Sequence, residues 1–191
     1  MRLLFILDPV SDLKPAKDSS LAMMREAIAR GHEVWVAGLA DMSWRDQQVI
    51  LRATQFAFAE GHIWYEFGEV AEFEASGFDA ILMRKDPPFD HEYLYATYLL
   101  ELAELHGARV INHPAAVRDW NEKLAVAHFP QFAPAFLVSK DPSLITSFLQ
   151  QQGDIVLKPL DGMGGSSVFR VQLTDPNLGV SSNDSLNLTG G

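Results

Sequence analysis

Residues 3–37 read LLFILDPVSDLKPAKDSSLAMMREAIARGHEVWVA, and the order of segments within them decides the fold class. Leu3-Leu4-Phe5-Ile6-Leu7 is a short apolar run stopped at once by Asp8-Pro9, which reads as a buried strand. Asp18-Ser19-Ser20 then offers helix-capping side chains ahead of Leu21, Met24 and Ile28, spaced by three and then four residues. Gly31 closes that helix, and His32-Glu33-Val34-Trp35-Val36-Ala37 supplies a second strand. Strand, helix and strand in this rhythm imply an α/β domain with a parallel sheet and crossover helices.

The pattern is less regular over residues 41–75, where residues 48–59 and 62–67 mix β-branched and aromatic side chains, as a hairpin or an irregular excursion would. It resumes with a strand at Phe78-Asp79-Ala80-Ile81-Leu82-Met83 and the loop Arg84-Lys85-Asp86-Pro87-Pro88-Phe89-Asp90. A helix follows with Tyr95, Tyr98, Leu99 and Leu102 on one face, ending near Gly107. Val110-Ile111-Asn112 forms a short strand stopped by Pro114. Beyond it, a helix is expected over residues 118–128, a strand at Phe136-Leu137-Val138 and a helix opened by Asp141-Pro142-Ser143 and running through Gln150. Ile155-Val156-Leu157-Lys158 and Val168-Phe169-Arg170-Val171 are two further strands flanking a glycine-rich loop. The domain boundary is placed near residue 120, and residues 181–191 read as a polar, disordered tail.

Composition narrows the function classes. The 191 residues are 48% hydrophobic and 21% charged, an ordinary globular balance for a chain that can bury about 70% of its surface without covalent staples. Cysteine is absent, which removes disulfides, Cys-ligated zinc, iron–sulfur clusters and a thiol nucleophile. Twenty-five acidic against fifteen basic residues give a net charge of −10, a poor match for nucleic-acid phosphates. No run approaches the ~20 apolar residues of a membrane span, and the first apolar run is too short for a signal peptide, so the expectation is a soluble cytoplasmic protein without a membrane partner.

The strongest chemical signal is Leu157-Lys158-Pro159-Leu160-Asp161-Gly162-Met163-Gly164-Gly165-Ser166-Ser167. Its glycines let backbone N–H groups turn toward an anion, the serines add donors, and Lys158 adds a point charge. No lysine follows the glycines and a strand comes next, so this is not a P-loop, while a plain glycine-rich hairpin has the same composition. Arg84 lies in the loop after a buried strand, where open α/β sheets bind ligands, and can pair bidentately with a carboxylate. A rigid proline loop with internally paired charges is the plainer reading of the same residues. Ser19 and Ser20 can cap a helix and face an anion at once. The six histidines show no HExxH or other close ligand spacing.

Taken together these stretches resemble bacterial glutathione synthetase of the ATP-grasp fold. The similar segments are Leu7-Asp8-Pro9, Lys17-Asp18-Ser19-Ser20, ILMRKDPPFD at 81–90, Tyr95-Ala96-Thr97-Tyr98, Ile111-Asn112, RDWNEKL at 118–124, LKPLDGMGGSSVFR at 157–170 and Asp175-Pro176-Asn177-Leu178-Gly179. They follow family order over residues 1–180. The resemblance implies an N-terminal Rossmann-like, parallel-sheet substrate-binding domain over 1–120, the pre-ATP-grasp domain. The small α+β subdomain of the ATP-grasp fold, which covers the nucleotide, follows over 121–180. It implies the ATP-dependent joining of γ-glutamylcysteine to glycine: phosphorylation of the cysteinyl carboxylate, then attack of the glycine amine on the acyl phosphate with release of phosphate. Such chemistry rests on positioning and charge neutralisation, so the lack of cysteine is no obstacle.

Carried over by position, the resemblance assigns ATP to Lys123, Lys158, Gly162, Gly164, Gly165, Ser166 and Ser167, and the dipeptide to Ser20, Arg84 and Asn112. It assigns no catalytic side chain and no metal ligand. The family's large subdomain, with its Mg2+ ligands, would follow Gly179, where Val180 runs into the tail. The expectation is therefore a truncated chain, weakly active or inactive alone, with apolar surface that favours self-association or a complementing chain. Two other readings stand beside it: a non-catalytic peptide- or partner-binding module, and an ATP-grasp carboxylate–amine ligase with another acceptor.

Overall fold

The computed structural model describes residues 1–161 and 167–174. The chain forms two compact units, Met1–Asp119 and Trp120–Gly191. The expected tail at 181–191 lies outside the described residues.

The first unit is built on the β-α-β opening: β1 (Arg2–Ile6), α1 (Ser19–Ala29) and β2 (Glu33–Ala37). β1 pairs in parallel with β2 on one side and with β6 (Ala80–Met83) on the other, and β6 pairs in parallel with β7 (Val110–Ile111). The uninterrupted apolar run of β1 follows from burial on both faces. Leu4 and Ile6 pack into one cluster with Tyr93, Ala96, Leu100 and Ala103 of α2 (His91–Leu105). Phe5 and Leu7 pack into the other with Leu21, Met24 and Ala27 of α1.

The parallel core β2-β1-β6-β7 is as expected, and the irregular stretch over residues 41–75 extends it into a mixed sheet. β3 (Met42–Arg45), β4 (Gln48–Phe58) and β5 (Tyr65–Glu74) add an antiparallel flank, with β4 joined to β2 through Trp35↔Gln55 and Val36↔Thr54. Asp46 and Gln47 both take positive φ, 53° and 64°, which turns β3 into β4 with a two-residue loop. The pairing of β4 with β5 shifts between Thr54 and Phe56. Gly68 faces that irregularity, where a Cβ would come within 2.9 Å of the Gln55 side chain.

Helix α1 keeps its expected face, with Asp18 Oδ1 accepting the N–H groups of Ser20 (2.7 Å) and Leu21 (3.0 Å) as N-cap. Helix α2 does not. Tyr95 and Tyr98 are exposed, and the buried stripe is Tyr93, Ala96, Thr97, Leu100 and Ala103, because small residues let the helix lie close on the sheet. A short α3 (Pro114–Asp119) closes the unit, and Arg118 reaches back to Glu101 at 2.6 Å.

In the second unit, α4 (Pro142–Gln152) packs on the antiparallel pair β8 (Asp154–Leu157) and β9 (Phe169–Gln172) around Leu149, Ile155 and Val171. Two expectations fail here. The helix expected over 118–128 is replaced by α3, a turn and a 3-10 helix at Ala125–His128. Pro114 suits a first helical turn, and the Asn121 side chain starts a new turn by accepting the N–H groups of Lys123 and Leu124. Phe136-Leu137-Val138 forms no strand, since β8 and β9 pair only with each other among the described residues.

Candidate functional site

The loops after β1 and β6 leave the sheet where the chain turns in opposite directions, the place at which open α/β sheets bind ligands. The Arg84 N–H donates to Ile6 O (2.8 Å), which carries the β6 strand end onto β1. From there the Arg84 side chain reaches the N-terminus of α1, with Nε donating to Ser20 Oγ (3.1 Å) and Nη2 to Ser19 Oγ (2.8 Å). Two of the three expected substrate-side residues, Ser20 and Arg84, are thus in direct contact. Arg84 is half-buried and forms no ion pair among the described residues. Its partners are neutral hydroxyls, so its charge is oriented and left for an anion.

Asn112 is placed apart from that pair. It follows β7, is exposed, and shares no hydrogen bond with Arg84 or Ser20 among the described residues.

A cleft of about 520 Å³ is lined from the loops after β1, β2 and β6, from β2, β4 and β5, and from the start of α2. Lys85 enters it, with Nζ bonded to Asp8 Oδ1 (2.7 Å) and to Asp86 O (2.6 Å), and Asp8 Oδ2 accepts the Asp86 N–H (3.0 Å). Sequence reasoning gave no role to Lys85 or Asp8, although both stand in stretches it singled out. Their signal is a loop acid after one parallel strand and a loop base after its neighbour. Tyr93 backs the same loop, its ring 5.0 Å from Phe89. Burial, followed by the charge of Asp86, raises the Tyr93 phenol above its ordinary value, so it stays protonated.

The nucleotide-side candidates fall in the second unit. Asn121 Nδ2 (3.1 Å) and Lys123 Nζ (3.4 Å) both donate to Leu160 O, and Lys123 also pairs with Glu122 at 3.0 Å. One carbonyl therefore joins the segment carrying Lys123 to the segment carrying Lys158. Lys158 follows β8 directly and is exposed. Ser167 has a positive φ of 55° at the return into β9. Gly162, Gly164, Gly165 and Ser166 lie outside the described residues. Among the described residues no group of acids or histidines is placed to hold a metal ion, so the Mg2+ implied by the resemblance finds no fitting ligand set there. No helix among the described residues is long and apolar enough to cross a membrane.

The sequence matches the family described as prokaryotic glutathione synthetase, N-terminal domain, over residues 1–118, and the ATP-grasp domain of that synthetase over 122–188. It is 54% identical over 184 residues to a glutathione synthetase of Nitrosomonas europaea, covering 94% of this chain and 58% of the relative. A Ralstonia nicotianae glutathione synthetase is 48% identical over 180 residues, covering 94% and 56%. Among solved structures, D-alanyl-alanine synthetase A from Vibrio cholerae superposes with a TM-score of 0.56 at 13% identity, over 98% of this chain and 56% of that one. The ATP-grasp ligase PsnB, complexed with a phosphomimetic variant of its minimal precursor, Mg and ADP, gives 0.53 at 17%, over 97% and 61%. These structural likenesses show an ATP-grasp ligase fold. The chain spans a little under three fifths of the length of these curated relatives.

Proposed function

Because this chain belongs to the prokaryotic glutathione synthetase family, we propose that it takes part in the ATP-dependent joining of γ-glutamylcysteine to glycine through an acyl phosphate. The first unit takes the dipeptide and the second takes the nucleotide. The observation that carries this reading is the Arg84 guanidinium, held by Ser19 and Ser20 without a carboxylate partner among the described residues. A guanidinium so held can donate two parallel hydrogen bonds from its Nη atoms to a substrate carboxylate and fix its plane. Ser20 adds a hydroxyl at the positive end of α1. Asn112 completes the substrate side from the end of β7. Lys123 and Lys158 contribute positive charge toward phosphate oxygens, and the glycines and serines of 162–167 contribute donors. No step is assigned to Mg2+, since the described residues offer it no ligand set.

A second reading is a binding module without turnover, in which the Arg84 guanidinium held by Ser19 and Ser20 takes a peptide carboxylate with no group transfer. Release of glutathione and phosphate from MgATP, γ-glutamylcysteine and glycine by the 191-residue chain separates the two. Turnover that falls with Arg84→Met and with Lys158→Met supports ligation. Saturable dipeptide binding without turnover supports the module, and no binding of dipeptide or ATP contradicts both.

The reading includes a cytoplasmic location. It also includes self-association, since Phe129, Phe132 and Phe136 are exposed in the second unit, Phe132 by 82%. Sedimentation should show a concentration-dependent species. A monodisperse monomer that binds no apolar dye contradicts that part.

A further inference from the structure

Two cations stand side by side after β6, and they are held differently. Arg84 rests on the hydroxyls of Ser19 and Ser20, so its charge is oriented without being neutralised. Lys85 is neutralised by its neighbours: Nζ meets Asp8 Oδ1 at 2.7 Å and donates to Asp86 O at 2.6 Å. Asp8 Oδ2 accepts the Asp86 N–H at 3.0 Å. Both oxygens of Asp8 and two of the three Lys85 protons are therefore satisfied within the loops themselves.

These three contacts close a clasp on the peptide groups that follow Arg84. The N–H of Asp86 is held by Asp8 and its carbonyl by Lys85. Asp8 is itself anchored, since the Leu7 N–H before it donates to Ala37 O of β2 at 3.0 Å. On the other side, the Arg84 N–H donates to Ile6 O at 2.8 Å. The Arg84 backbone is thus fixed from both directions. Sheet pairing does not require the clasp, because β1 and β6 are already in register from Leu3↔Ala80 to Ile6↔Met83. Nor is the pair a solvated surface contact. The side chains of Lys85 and Asp8 are 19% and 27% exposed, so removing either one leaves a partly desolvated charge without its counter-ion.

We propose that Asp8 and Lys85 are positioning residues for Arg84. They do not bind the ligand; they hold the loop in the geometry from which the guanidinium meets a carboxylate. The proposal rests on the reading of Arg84 as the carboxylate-binding group and deepens it. A small displacement of the guanidinium forfeits one of two parallel hydrogen bonds, which is how residues outside the contact set its strength.

Two readouts on the full chain test this. The first needs no ligand: the NMR signal of the Arg84 Nε–H, assigned by its loss in Arg84→Met, reports the bond to Ser20. In Asp8→Asn and Lys85→Met its exchange with solvent should quicken about fivefold, and Lys85→Arg, which keeps a cation on Asp8, should restore most of the protection. The second is titration of γ-glutamylcysteine. Each of the two disruptive variants should weaken binding about fivefold, whereas in the Arg84→Met background the same substitutions should change it less than about twofold. A merely structural role would add the same loss in either background. Unchanged Nε–H exchange in both variants, or equal affinity losses with and without Arg84, overturns the positioning role and leaves the ligation reading in place. Native affinity in Arg84→Met itself overturns the reading of Arg84, and this proposal with it.

Discussion

The two units differ in how much of their apolar surface they bury for themselves. In the first, two clusters fill opposite faces of one sheet, and Leu4, Ile6, Leu21, Leu51, Ile81 and Leu100 are fully enclosed. In the second, Leu149, Ile155 and Val171 form the buried core, while Trp120, Phe129, Phe132, Phe136 and Val138 face outward. The polar detail follows the same division. Around Arg84 and Lys85, side-chain hydrogen bonds fix one loop from several elements, whereas Asp154 and Arg170 pair across an exposed hairpin. The proposed substrate side thus falls in the unit with the deeper core, and the proposed nucleotide cover falls in the unit that has less to lose by local opening.

The largest expected effect tests the deeper core. Leu100→Ala should cost about 2–5 kcal/mol in a urea melt followed by first-unit probes, the range for emptying an enclosed leucine site. A loss below about 1 kcal/mol would mean that this core is looser than its burial implies. Ile155→Ala removes one of three core residues of the second unit. Hydrogen exchange should accelerate across α4, β8 and β9 while β1, β2 and β6 keep their protection. Equal acceleration in both units would show one cooperative structure and break the contrast.

Asp18→Ala is a smaller, local change. Losing the bonds to the Ser20 and Leu21 N–H groups should cost about 1 kcal/mol and weaken dipeptide binding, because the same cap positions the hydroxyl that holds Arg84. An unchanged melt with unchanged binding would uncouple the cap from the site. The smallest effect is one of pH. Hydrogen bonding from Arg170 holds the exposed Asp154 carboxyl below the usual carboxylate range. A depressed folded-state value stabilises the hairpin at pH above the free-carboxylate value, and that contribution is lost as pH falls through the lower one. Exchange of β8 and β9 amides should therefore quicken in acid more in the native chain than in Asp154→Asn. Equal acid responses would remove the pair from the account.

The parts of the fold that the sequence made legible are those set by local rules. β1, α1, β2 and the glycine at 31, with its φ of 75°, follow from apolar runs, a capping aspartate and a left-handed exit. The antiparallel flank is hard to read because its turn uses Asp46-Gln47 at positive φ, not a glycine pair, and the pairing of its long strand shifts register between Thr54 and Phe56. On α2 size outweighs spacing: Ala96 and Ala103 lie against the sheet while Tyr95 and Tyr98 face outward. At the site, Arg84, after β6, touches Ser20 in the first turn of α1, a contact made across two separate stretches of sequence. The roles of Lys85 and Asp8 needed the parallel register of β1 with β6, which no single stretch encodes.

The division of labour between the units is tested most directly by titrating γ-glutamylcysteine and ATP separately into the native chain, Arg84→Met and Lys158→Met, each checked for an unchanged melt. The account predicts that Arg84→Met loses about tenfold in dipeptide affinity with ATP binding unaffected, and that Lys158→Met does the reverse. Dipeptide binding indifferent to Arg84, or equal losses of both ligands in both variants, would contradict it.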